Sequence, residues 1–146
     1  MLQSIEQNYD QNNFFFVFST SLLYFLATPT YVVQVEQKTH AEAIKVCKSL
    51  GRQLFEPTYS SVNKKVTALA KAKGVTRFWI GIHDITKEGK FTYESNDQII
   101  GYKNWHSNEP NNSGNEDCAE INGGKWNDLP CHLKLSFVCE KPPPGN

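Results

Sequence analysis

The sequence predicts a single α+β domain. Two stretches with apolar residues at helical spacing stand in the first half of the chain, and runs with strand alternation or β-branched and aromatic enrichment precede them and fill the second half. Four cysteines, Cys47, Cys118, Cys131 and Cys139, form an even set with no C-x-x-C pair, which suits two disulfides better than a zinc knuckle. The competing reading, four reduced thiols in a cytosolic protein, would make them packing residues only. A length of 146 residues leaves room for one core of ordinary size.

Taken in order, "FFFVFSTSLLYFLA", Phe14 to Ala27, has the length of a secretory apolar region and is too short to span a bilayer as a helix. Glu6 and Asp10 precede it where a positive region is expected, and the small-residue pattern Ser19-Thr20-Ser21 falls inside the run. Residues 1–28 read as a signal-like segment, with a retained anchor or a wrongly assigned start as alternatives, and stay out of the fold. The expected location is extracellular, and no confident membrane span follows.

The alternation of "YVVQVEQ" from Tyr31 predicts a strand. Thr39 then opens a helix with a capping box to Glu42, and Ile44, Val46, Cys47 and Leu50 carry its apolar positions to Gly51. A second helix is predicted over 61–73, where Val62, Val66 and Leu69 precede Gly74. Its lysines, Lys64, Lys65, Lys71 and Lys73, read as a solvated face. Strands follow at "VTRFWIGIHD" and "KFTYES". Between Glu94 and Cys118 regular periodicity stops, in a loop rich in Asn, Ser, Gly and Pro whose length calls for a function. Short strands at "CAEIN" and "LSFVCE" bracket Gly123-Gly124 and the Trp126-Asn127-Asp128 triplet, and residues 142–146 form a tail.

Charge narrows the function. Acidic and basic residues balance at 15 each, so the chain as a whole lacks the positive field that holds nucleic acid. The acids are not evenly spread: Glu109, Glu116, Asp117, Glu120 and Asp128 crowd into residues 108–131, where the only basic residue is Lys125. Crowded carboxylates are relieved by water, by raised pKa values or by a cation. Glu109, Asn111, Glu116, Asn127 and Asp128 supply hard oxygen donors suited to calcium, without the alternate spacing of an EF-hand.

"WIGIHD" at 79–84, "EPN" at 109–111, "EDC" at 116–118, "WND" at 126–128 and "FVCE" at 137–140 resemble, in order, the signature of the C-type lectin domain. The resemblance runs over residues 31–141 and is nearest to the mannose-type members. It implies a carbohydrate-recognition domain over 29–141, with two helices flanking small antiparallel sheets and a long calcium-binding loop. Two disulfides are implied, Cys47–Cys139 and Cys118–Cys131. It further implies that Glu109, Asn111, Glu116, Asn127 and Asp128 hold a principal Ca2+ and hydrogen-bond the sugar, with a cis peptide before Pro110. Asp84, Glu88, Asn112 and Asp117 match an auxiliary calcium site. In this family Glu-Pro-Asn goes with mannose, N-acetylglucosamine or fucose, and Gln-Pro-Asp with galactose. The implied partners are glycans with terminal mannose-type sugars, with oligomerisation as a route to avidity, in pathogen recognition or adhesion.

Several features have simpler roles. Trp79, Trp105 and Trp126 read as core rather than as a sugar-stacking platform. The four histidines show no HxH or HExxH pair, and nothing supplies an activated nucleophile with its base, so no enzyme is predicted. Asn111-Asn112-Ser113 is a formal glycosylation sequon, but a glycan there would remove a proposed calcium ligand. His40 stands near a position often aromatic in the family. The alternatives are a protein-binding or ice-binding module on the same fold and a galactose-preferring lectin.

Overall fold

The computed structural model describes residues 29–144, so the signal-like segment 1–28 lies outside the described residues. Strand β1 (Tyr31–Lys38) leads into helix α1 (His40–Ser49). The capping box is present in full: the Thr39 hydroxyl accepts from the Glu42 N–H at 3.3 Å, and the Glu42 carboxylate accepts from the Thr39 N–H at 2.9 Å. After the short strand β2 (Gln53–Leu54) comes helix α2 (Ser60–Ala72), one residue from the predicted bounds at each end. Strands β3 (Arg77–His83), β4 (Thr92–Tyr93), β5 (Cys118–Asn122), β6 (Lys125–Leu129) and β7 (Leu135–Glu140) complete the chain.

All the strands join in one sheet, ordered β1-β7-β3-β5-β6, with β2 added to β7 and β4 to β3. The first and last strands pair antiparallel, Tyr31 opposite Glu140, which brings the two ends of the domain side by side. Most pairs are antiparallel as expected. The β3–β7 pair is parallel, a long-range contact that no local sequence pattern announces.

Helix α1 and helix α2 serve different cores. On β3 the alternation divides Phe78, Ile80 and Ile82, which share a buried cluster with Val66 and Ala70 of α2, from Trp79, which clusters with Ala43 and Cys47 of α1. Both disulfides enter the second cluster: Cys47–Cys139 ties α1 to β7, and Cys118–Cys131 ties the start of β5 to the segment after β6. The implied pairing is the one the structure holds. Gly81 interrupts β3 because its backbone runs against Glu56: an added Cβ would lie 2.8 Å from the Glu56 Cγ and 3.0 Å from the Leu54 carbonyl oxygen.

Trp79 and Trp126 are fully buried, and Trp105 packs edge-to-face between Phe91 and Trp126, so the core reading of the tryptophans holds. His40 is the first residue of α1. It is buried edge-on against Trp79, its Nε2 donates to the Ile80 carbonyl at 2.9 Å, and desolvation lowers its pKa to about 4. Lys64, Lys65, Lys71 and Lys73 are all exposed, as read, and Lys65 also stands over the Tyr31 ring at 5.6 Å. Among the described residues no helix is long and apolar enough to cross a membrane.

Candidate functional site

The Trp-Asn-Asp triplet, read as lying between strands, is itself strand. Lys125–Leu129 pairs with Cys118–Asn122 across a hairpin whose tip is Gly123-Gly124, both at positive φ. The correction has a clear source: the run contains two residues of low strand propensity, and the pairing with β5 outweighs it. Being in a strand, Asn127 and Asp128 point to opposite faces. Asp128 is buried and turns toward the long loop, whereas Asn127 lies opposite Glu120 and donates its Nδ2 to Glu120 Oε1 at 3.2 Å.

The long loop owes its shape to asparagines and a glycine in the left-handed region: Asn108, Asn112, Gly114 and Asn115 all have positive φ, which asparagine tolerates better than other side chains. The peptide between Glu109 and Pro110 is cis, as the resemblance implied. Asp128 organises the turn that follows, its Oδ1 accepting from the Asn111 N–H at 3.0 Å and its Oδ2 from the Asn112 N–H at 2.8 Å. The Asn111 Nδ2 donates to Glu109 Oε1 at 2.8 Å, and Glu116 Oε2 accepts from the Ser113 N–H at 2.9 Å.

Three carboxylates thus gather with no cationic side chain among these contacts. Burial first, and then Asp128 as hydrogen-bond partner and as charge, push the Glu109 pKa up, with Glu116 adding to the repulsion. Burial and the Asp128 charge also raise Glu116, against the pull of the Ser113 N–H. Glu109 Oε2 is buried without a hydrogen-bond partner. Among the described residues no three His, Cys, Asp or Glu side chains form a metal cage by themselves, so amide oxygens would have to complete any shell here. An unsatisfied carboxylate oxygen beside two further carboxylates and an amide oxygen is a donor set that fits a hard divalent cation.

The residues read as auxiliary are partly assembled. Asp84 donates its N–H to the Asp117 carbonyl at 3.0 Å, its Oδ2 accepts from the Gly89 N–H at 2.8 Å, and its buried Oδ1 has no partner. Burial lifts its pKa to about 6, Glu88 and Asp117 adding to the shift. Asn112 Oδ1 accepts from the Glu116 N–H at 2.7 Å, which links it to the principal group as well.

One pair the sequence reading did not assign is Arg77 with Glu120. Glu120 is fully buried, and Arg77 holds it with two bonds, Nε to Oε2 at 2.9 Å and Nη2 to Oε1 at 2.7 Å. Of the crowded acids, this one is neutralised within the protein. The signal was a strand glutamate with no local partner, but the arginine lies far away in sequence and meets it only through the β3–β5 pairing. Replacing Arg77 with Met is expected to strand the buried carboxylate and cost about 2 to 4 kcal/mol in urea unfolding, reduced from fully buried values because Arg77 is half exposed. A loss below the error of that measurement would show that water reaches Glu120.

Comparison with known proteins agrees with this architecture. The Lectin C-type domain model matches residues 36–141. Collectin-10 of Mus musculus is 38% identical over 112 residues, covering 75% of this chain and 40% of that protein, so the chain spans about two fifths of the curated relative it matches. The mouse scavenger receptor C-type lectin carbohydrate-recognition domain superposes with a TM-score of 0.70 at 26% identity, covering 80% of this chain and 90% of that one. The cow CD23 carbohydrate-recognition domain, solved in the presence of a GlcNAc2Man3 oligosaccharide, gives a TM-score of 0.66 at 30% identity, covering 75% and 84%. The chain therefore belongs to the C-type lectin domain family.

Proposed function

We propose that this carbohydrate-recognition domain binds mannose-type sugars through calcium, without covalent chemistry, outside the cell. The observation that supports the reading is that Asn111 bonds both Glu109 and Asp128, while the second Glu109 oxygen, Oε2, is buried and unpartnered. Calcium, when bound, supplies coordination positions that two neighbouring sugar hydroxyls complete. Glu109 and Glu116 accept hydroxyl protons, and the Asn111 and Asn127 amides donate to the hydroxyl oxygens. Asn127, whose nitrogen is steadied by Glu120, also has a carbonyl oxygen to offer the ion. Asp84, Glu88, Asn112 and Asp117 form the auxiliary set, with Asn112 also bracing the Glu116 N–H. Glu-Pro-Asn at 109–111 supports mannose, N-acetylglucosamine or fucose over galactose. Two disulfides support an oxidising, extracellular setting. A shallow site of this kind binds one sugar weakly, so pathogen recognition or adhesion would draw on avidity from an oligomer.

In solution, mannose is expected to displace a mannosylated probe at concentrations at least about fivefold below galactose, in line with selectivity set by one hydroxyl pair. Equal displacement by both sugars would contradict the mannose reading. Acid is expected to weaken calcium binding. Glu109, Glu116 and Asp84 have pKa values raised in the protein without calcium, so each must shed its proton for the cation to bind, and protons win as pH falls. For Asp84, at about 6, the charged fraction drops roughly tenfold between pH 7 and pH 5, and calcium titration calorimetry should show a fall of that order. An unchanged affinity would remove these carboxylates from the site.

A further inference from the structure

The lysines of α2 have no role in the site above, and two of them converge on a separate cleft. Between α2 and the β5–β6 hairpin lies a cavity of about 410 Å³, with Lys64 and Lys71 on the helix side and Lys125 on the hairpin side. Its lining contains no aspartate or glutamate, and α2 itself has none. None of the ion pairs Lys38–Glu36, Lys48–Glu94 and Arg77–Glu120 involves a cleft lysine, and among the described residues Lys64, Lys71 and Lys125 lack a carboxylate partner. The formal neutrality of the chain is thus a sum of opposites, an acidic loop and a basic cleft.

The cleft is rigid. Gly124, at the hairpin tip, accepts through its carbonyl from Asn63 at 2.9 Å and from Asn104 at 2.8 Å, Asn63 Oδ1 receives the buried Trp126 Nε1–H at 2.7 Å, and Lys125 donates to Asn104 Oδ1 at 3.0 Å. The helix end adds to the positive field. Ser60, at the N-terminus of α2, lines the cleft, and Tyr59 at the N-cap gives the first turn no side-chain acceptor. Lys64 and Lys71 are two turns apart on one face, about 10 Å along the axis, a distance of the order of a disaccharide.

We propose that this cleft binds a sulfated polysaccharide, independently of calcium. Sulfates would meet the lysines, and the Ser60 hydroxyl would meet ring oxygens and hydroxyls. Single-stranded nucleic acid is less suited, because it needs open aromatic faces, and the ring that lines the cleft, Tyr102, is engaged edge-to-face with Trp126. The test uses the full oxidised chain, a heparin octasaccharide as probe, and two double variants that each remove two lysine charges from α2 and its C-cap: K64A/K71A inside the cleft and K65A/K73A outside it. Binding in chelator at low salt is expected to survive in the wild type and in K65A/K73A, and to weaken about tenfold or more, with a shallower salt dependence, in K64A/K71A. Equal weakening by both variants would show a diffuse field rather than a site. Loss of binding in chelator would assign the probe to the calcium loop, and equal binding of an oligonucleotide of matched charge would overturn the sulfated-sugar assignment. Mannose retention, read on the same proteins, is expected to be unchanged in both variants, which separates failure of this cleft from failure of the calcium site.

Discussion

Replacing Asp128 with alanine is expected to abolish calcium-dependent retention on immobilised mannose and to lower calcium affinity by more than about 100-fold, beyond the loss typical of an outer-shell partner. Asp128 is buried, lies beside Glu109, and holds the Asn111 and Asn112 N–H groups with its two oxygens. In chelator two consequences oppose each other. The loop loses an acceptor for two backbone donors, worth about 1 to 2 kcal/mol, and Glu109 loses the neighbour whose charge raises its pKa. The stability without calcium should therefore move little, while the extra stability conferred by calcium should vanish. Asparagine at the same position is expected to fare little better, because its amide nitrogen would face one of the two backbone N–H donors. Retention comparable to wild type in the alanine variant would place the sugar elsewhere.

The largest stability effect is expected from the Cys47–Cys139 bridge. Its 92-residue separation corresponds, on the chain-entropy model, to about 4 to 5 kcal/mol, against about 3 kcal/mol for Cys118–Cys131 with a separation of 13. Both cysteines of the long bridge are fully buried beside Trp79 and Phe137, so the alanine pair also loses packing. The short bridge should show the reverse balance. Cys118 follows Asp117 directly and opens the strand that pairs with β6, so its loss should cost less in urea unfolding and more in calcium affinity. If the short bridge proved the more costly for unfolding, the entropic ranking would be wrong for this domain.

Local signals carried much of the fold. The Thr39–Glu42 capping box placed α1, helical spacing placed α2 to within a residue, a β-branched and aromatic run placed β3, and the short runs CAEIN and LSFVCE placed β5 and β7. What escaped was what depends on partners distant in sequence. Strand β6 exists because "KWNDL" finds "CAEIN" across a two-glycine turn, and β2 because Gln53 and Leu54 find the end of β7. The same holds for the polar interior. Glu56, buried with its carboxylate on the Ser95 N–H and hydroxyl and raised to about 7 by desolvation, reads in sequence as one more surface acid.

The candidate site divides along the same line. Its residue types were legible because a crowd of acids and amides in a turn-rich loop is chemically conspicuous, and the EPN, EDC and WND motifs gave each a place. Their individual tasks were not. The oxygen of Asn112, read as part of the auxiliary set, also caps the Glu116 N–H, and Asn127 is steadied by a glutamate that Arg77 holds. Those assignments follow from the left-handed φ of Asn112 and the pleat of β6, neither of which a one-dimensional pattern contains.

The most direct test is retention of the oxidised wild-type chain on immobilised mannose with millimolar calcium, followed in parallel by chelator and by free galactose. Retention that chelator releases and galactose leaves in place is the predicted result. Failure to bind at any calcium concentration, or binding that chelator does not disturb, would contradict a calcium-borne mannose site at Glu109, Asn111 and Asp128.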